Sequence, residues 1–361
     1  MSSSHPPLIS LLEAISSDRE DLALDKFEAI TVAWAIRNGL GPLLYRAVRR
    51  NPQSVASSHW SSLKSADLTA RVVIGEHFQA LREIGDACRS SLPPLTLLKG
   101  ISISEQCYPE PHLRLMRDID FLVAKESLSA VTTALHQLGY RQLSKGGLRY
   151  EKHHHLEPFF HQDKQVWVEV HHGLFSTERR AGSAKIFSRE NLAAQTRPSR
   201  FQGIEVRRLS FELQLVYLAS HWAQDFARVG GLVALVDTIY LLRQAGADFS
   251  WEWLLRAVNS SVPATYLYLL LSYIVRYDLV KVAPEVMREL AFSQPSFGCL
   301  SLKTMHRMID DYLVKATEFG PLLSERSVGI IWNTLMLPGP TLPKFALIPV
   351  NLSLPRYCRI Q

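Results

Sequence analysis

Apolar residues recur at three- and four-residue spacing through Leu8 to Ile15, and again from Phe27 to Val48. That is the period of a helix that buries one face. Pro52 and the serines after it interrupt the pattern, a further helix is predicted from about Ser61 to Ser90, and Pro93-Pro94 closes the helical region. The texture then changes. Leu95-Thr-Leu-Leu98 reads as a short buried strand running into a glycine turn at Lys99-Gly100, with a short helix over Ile101 to Tyr108. Asp118-Ile-Asp-Phe-Leu-Val123 opens with the polar and apolar alternation of a half-buried strand. Lys125 to Leu138 is an amphipathic helix closed by Gly139. Two further strands are predicted at about 148–160 and 165–171, with Gln162-Asp-Lys164 as the hairpin turn. From about residue 208 the helical period returns, through Leu209 to Ala227, Val229 to Gln244, Trp251 to Val258 and Ala264 to Tyr277.

The expectation is an α+β protein with an N-terminal helical region at 1–91 and a small mixed β-sheet core with flanking helices at 92–207. A mostly helical domain follows at 208–337, then a proline-rich irregular tail at 338–361. Composition changes this picture little. The chain has 361 residues, 47% hydrophobic and 20% charged, enough for two domains or one large one. The net charge of +6 is spread along the chain. It suits a phosphate-handling protein without singling one out, and the lack of a concentrated basic stripe argues against a long nucleic-acid acceptor. Four scattered cysteines without a CxxC pair disfavour zinc ribbons and thioredoxin-like chemistry and suit a reducing cytoplasm. No signal peptide is expected at the N-terminus. The strongest apolar run, Tyr266 to Val275, is far short of the ~20 residues of a membrane span. It reads as a buried helix, so no membrane partner is expected.

The chemistry concentrates in the middle of the chain. On a strand Asp118 and Asp120 project to the same side. Two adjacent carboxylates repel unless a cation lies between them, and a hard ion such as Mg²⁺ takes oxygen ligands while tolerating substrate phosphates. In Val166-Trp-Val-Glu-Val-His-His172, Glu169 and His171 share one face of a strand whose other face is valine. A shared metal would partner that carboxylate; the alternative is an arginine partner or a strand face open to water. In Leu97-Leu-Lys-Gly-Ile-Ser102, a strand leads through Lys99 and Gly100 into a helix start. Such a turn presents free amides and a positive charge to phosphate, unless Lys99 is simply a surface lysine.

Thirteen histidines invite a different metal story. His153 and His155 would share a strand face, with His161 near them. A zinc hydrolase needs three ligands and a water position, and no HExxH is present. Exposed strand histidines, or contacts to a nucleobase or acceptor, are the simpler expectation. His171, beside Glu169, is the histidine placed to reach the carboxylates. Trp222, Trp251 and Trp253 read as packing residues of helices.

The order Leu98-Lys99-Gly100, Tyr108-Pro109, Arg114 to Asp118, Asp118-Ile-Asp-Phe-Leu-Val123 and Glu169-Val-His171 resembles the bacterial "uncharacterised nucleotidyltransferase" family of the DNA polymerase β-like superfamily. The likeness continues through Ser220-His221-Trp222 and Leu235-Val-Asp237, so it spans roughly 95 to 260. It implies two-metal transfer of an NMP group from an NTP, with Mg²⁺ or Mn²⁺ as cofactor. Asp118 and Asp120 would ligate both ions, and Glu169 would hold the nucleophile-side ion and accept the proton. Lys99, Gly100 and Ser102 would contact phosphate, and His171 and His221 would line the nucleotide pocket. Arg114 would stabilise phosphate charge or pair with a carboxylate. His221 and Asp237 would form a pocket wall or a buried polar pair tying helices together. A peptide, small molecule or sugar is the favoured acceptor and RNA, as in toxin-like relatives, the runner-up. A degenerate nucleotide-binding partner or regulatory protein is the alternative from another class. The chain departs from the family in carrying Glu at 169, where Asp is more common, and His172 where Trp is usual. It also reads Gly100-Ile-Ser102 where the superfamily usually reads Gly-Ser.

Overall fold

The computed structural model describes residues 7–17, 29–143, 150, 153–176, 184–229, 232–294, 299–310, 331–332 and 334–335. The proline-rich tail expected at 338–361 lies outside them. The helices before the sheet are α1 (Pro7–Ser16), α2 (Ala29–Arg37), α3 (Gly41–Val48) and the long α4 (Ser57–Cys88). The α+β core then runs β1 (Thr96–Leu97), α5 (Lys99–Cys107), β2 (Asp118–Leu122), α6 (Leu128–Gln137), β3 (Arg141–Gln142), β4 (Phe159–His161), β5 (Val166–His171), α7 (Arg189–Ala194), β6 (Thr196–Phe201) and β7 (Ile204–Leu209). The C-terminal region is helical: α8 (Phe211–Val229), α9 (Leu232–Ala245), α10 (Trp251–Val258), α11 (Val262–Arg276), α12 (Pro284–Ser293) and α13 (Cys299–Ile309). No helix among the described residues is long and apolar enough to cross a membrane.

The strands form one mixed seven-stranded sheet in the order β3-β4-β5-β2-β1-β7-β6. β2 and β5 are parallel and central, β1 and β7 are also parallel, and β1 meets β2 antiparallel. Period-two alternation makes the two faces of the centre unlike. Ile119, Phe121, Val168 and Val170 are fully buried against α4 and α6, together with Ile84, Leu135 and Tyr140. The opposite face carries Asp118, Asp120, Glu169 and His171. The second core joins α1–α3 to α8–α11, so helices from both ends of the chain share one apolar interior.

Two differences from the sequence reading have local causes. The strand expected at 148–160 is confined to Phe159–His161, paired with the short β3; residues 144–149 and 151–152 lie outside the described set. His153 to His155 instead form a bend whose single bridge, His155 to His171, lays it along the end of β5. The β6–β7 hairpin was not anticipated. Its turn is Gln202-Gly203, both at positive φ, the geometry of a tight hairpin turn. Gln-Gly is a weaker turn signature than Asn-Gly, and exposed arginines on β6 mask its strand pattern.

Candidate active site

The site is set by the register of the two central strands. β2 and β5 run parallel with Asp118 beside Trp167, Asp120 beside Glu169 and Leu122 beside His171. Neighbours across a parallel pair point to the same face, so Asp118, Asp120, Glu169 and His171 converge. Apolar burial on the other face fixes this register, because a slip of one residue would turn the carboxylates into the core.

Next to them the chain leaves β1 and turns sharply into α5. Leu98 is extended and Lys99 stands at φ +45°, a region that L side chains with a Cβ seldom occupy. The expected glycine turn is therefore made by the lysine. Gly100 serves differently: a Cβ there would stand 3.2 Å from both Arg114 Nη1 and Met116 Cβ, so the glycine permits close packing of α5 on the loop before β2. The strained backbone aims the lysine across the sheet. Lys99 Nζ donates to Asp120 Oδ1 at 2.8 Å and lies 3.8 Å from Glu169 Oε2. From the other side His171 Nε2 is 2.8 Å from Asp120 Oδ1 and 3.5 Å from Glu169 Oε2.

The electrostatics follow from this crowding. Burial alone would raise the Asp120 carboxyl, but Lys99 and His171 outweigh it and hold Asp120 far below the usual carboxylate range. Glu169 is likewise lowered, burial being outweighed chiefly by the His171 hydrogen bond. Burial disfavours charge on Lys99 and His171, yet both are raised by these carboxylates. Asp118 fares otherwise. Burial and the neighbouring Asp120 charge push it up to about 7 against the pull of Lys99. A buried carboxyl held poorly ionised beside an ionised one is a position short of positive charge. Asp120, Glu169 and His171 bring one ligand atom each within 4.8 Å of one another, a spacing suited to a cation. Oxygen-rich donors with an ammonium already drawn to them fit a hard divalent ion.

The remaining expected residues are placed as follows. Ser102 is fully buried on α5, with its hydroxyl 3.5 Å from Gln214 Oε1 and 3.4 Å from Arg208 Nη1. Arg114 pairs with a carboxylate: its Nε and Nη2 donate to Asp237 at 3.0 and 2.9 Å, and Tyr108 donates to the same group at 2.6 Å. Asp237 thus ties α9 to the loop between α5 and β2. His221 is half-buried on α8, its ring 6.3 Å from that of Tyr217. Tyr217 escaped the sequence reading. Its hydroxyl is buried without a hydrogen-bond partner, and it couples electrostatically to Lys99, Asp120, Glu169 and Asp118, while burial pushes it above its ordinary value. Its one available signal was its place four residues before His221 on the same helix face.

A profile of the family described as uncharacterised nucleotidyltransferase matches residues 29–277, which include the whole sheet, the carboxylates and helices α2 to α11. No curated protein and no solved structure matches the chain. The chain belongs to this nucleotidyltransferase family.

Proposed function

We propose that the protein transfers an NMP group from an NTP to a hydroxyl of a peptide, small molecule or sugar, at the face of the sheet where β2 meets β5. The observation that carries this reading is the register pairing of Asp120 with Glu169, with Asp118 on the same face one step along β2. Asp118, Asp120 and Glu169 would hold Mg²⁺ or Mn²⁺, which when bound would neutralise nucleotide phosphates and lower the cost of forming the nucleophile. In the reaction the acceptor oxygen bonds to the α-phosphorus, the bond from that phosphorus to pyrophosphate breaks, and the hydroxyl proton passes to Glu169. Lys99 has a second duty. It balances the carboxylates in the resting site and can turn to the phosphates once they are engaged, where the amides of the first turn of α5 also point. Tyr217 and His221 would form the α8 wall of the nucleotide pocket.

Arg114 serves this reading as a positioning residue, since its charge is committed to Asp237. Buried free thiols at Cys88 and Cys107 fit action in a reducing compartment such as the cytoplasm. Titration calorimetry with each NTP in the presence of Mg²⁺ or Mn²⁺ tests the proposal. Binding that needs the metal and is lost in Asp118→Asn/Asp120→Asn is expected. Nucleotide binding that persists without metal, or in the double variant, contradicts the assigned roles. Equal absence of binding in wild type and variant would favour a partner or regulatory protein.

A further inference from the structure

Beside the carboxylates lies a second group of ligating side chains, chemically unlike the first. The rings of His153, His154 and His155 stand 4.2 to 4.9 Å apart. One nitrogen from each lies within 4.8 Å of the others. The ring of His171 is 5.3 Å from that of His154 and 5.2 Å from that of His155. Consecutive side chains seldom gather this way on an extended chain; the bend seen here allows it, and the backbone pins the bend. Leu156 N–H donates to Val170 O at 2.9 Å, and His172 N–H donates to His154 O at 2.9 Å.

Two buried nitrogens in this group are unsatisfied. His154 Nδ1 and His171 Nδ1 are buried without a hydrogen-bond partner. A buried polar atom left unpaired costs about 1–3 kcal/mol, so two in one cluster call for an occupant. His155 shows what that occupant is. Its Nδ1 lies 2.6 Å from Leu156 O and must donate there, which leaves Nε2 as the nitrogen able to bind an ion. A backbone carbonyl fixing one ring nitrogen so that the other can bind is the usual support of a metal-ligating histidine. His171 repeats the arrangement, with Nε2 held by Asp120 and Nδ1 left over.

We propose that His153, His154 and His155 hold one divalent transition-metal ion of the zinc class, with His171 completing the nitrogen set, at a site separate from the carboxylates. Imidazole nitrogen selects Zn²⁺, Co²⁺, Ni²⁺ or Cu²⁺ over Mg²⁺, whereas carboxylate oxygen favours Mg²⁺. Two ions of different chemistry would thus be sorted onto neighbouring sites, with His171 between them. The inference does not depend on nucleotidyl transfer.

The test is Co²⁺ titration of the full-length, chelator-stripped protein in excess Mg²⁺, read by visible absorption. One Co²⁺ per chain with the strong absorption of a nitrogen-rich, low-coordinate ion is expected, displaced by Zn²⁺. His154→Ala/His155→Ala should weaken Co²⁺ binding by about 100-fold or more, whereas Asp118→Asn should retain it. If that double variant does not fold, His153→Gln alone should weaken binding at least ~10-fold. No uptake in excess Mg²⁺, an unchanged band in the folded histidine variants, or loss of the band in Asp118→Asn would each overturn the proposal.

Discussion

Two buried ionic clusters flank the loop between α5 and β2, and they are built to opposite ends. Around Asp237 everything is closed. Its carboxylate accepts from Tyr108 and twice from Arg114, and the third guanidinium nitrogen donates to Leu115 O at 2.8 Å. Around Asp118 and Asp120 the account does not close. Lys99 and His171 serve Asp120 and Glu169, while Asp118 is left poorly ionised by burial and by its neighbour's charge. The closed cluster joins a helix to a loop, with its one carboxylate matched by one guanidinium. The open one has convergent oxygens and a deficit of positive charge, the condition for taking up a cation. Buried charge alone therefore does not mark a candidate site; incomplete pairing is the better pointer.

The comparison can be broken by substitution. The largest effect is expected from Arg114→Met, which strands the Asp237 charge in the interior. Removing one member of a buried pair costs about 3–5 kcal/mol, read by denaturant unfolding. Asp118→Asn is expected to do the reverse: to lower metal-dependent nucleotide affinity by about 100-fold, ~2.7 kcal/mol, while leaving the unfolding midpoint at pH 8 unchanged or higher. The sign follows from the raised Asp118 carboxyl, whose ionised form the fold disfavours. A loss of stability in Asp118→Asn equal to that of Arg114→Met would erase the distinction between the clusters.

How much of this was legible in the sequence depends on where the information lay. The carboxylates were, because strand alternation is local: Asp118-Ile-Asp120 and Glu169-Val-His171 declare their faces without knowledge of the fold. That Asp120 would meet Glu169 was not, since register across a parallel pair is set by the distant burial of Ile119, Phe121, Val168 and Val170. The role of Arg114 stayed open for the same reason, its partner lying on α9 far along the chain. Lys99-Gly100 was read as a glycine turn, yet the positive φ belongs to Lys99. Composition favours glycine there; only tertiary need places a lysine in that strain. The histidine run was read as one strand, and it is a bend, because period-two reasoning does not see where a strand stops pairing.

Smaller effects sharpen the picture. Gly100→Ala is expected to cost about 1 kcal/mol, since Met116 Cβ, 3.2 Å away, belongs to a packed side chain and must shift. Thermal unfolding reads this, with nucleotide affinity falling alongside if α5 moves. The smallest effect lies at the far side of the sheet, where Lys164 pairs with Glu83. Burial works against the Glu83 carboxylate, but the lysine outweighs it and lowers its value below the ordinary 4.5. This pair's contribution is present above about 4.5 and disappears as pH falls through the lowered value. For a solvent-screened pair it should amount to about 0.2–0.5 kcal/mol, seen as a gap between wild type and Glu83→Gln that closes with acidification.

We expect the incompletely paired cluster on β2 and β5 to take up a cation together with nucleotide. Electron paramagnetic resonance of Mn²⁺ tests it most directly, because bound and free ion are counted separately. With a non-hydrolysable NTP present, wild type should immobilise Mn²⁺ in a nucleotide-dependent manner, Arg114→Met should do so wherever it remains folded, and Asp118→Asn/Asp120→Asn should not. Equal Mn²⁺ uptake by wild type and the double aspartate variant, or none by either, would contradict the account.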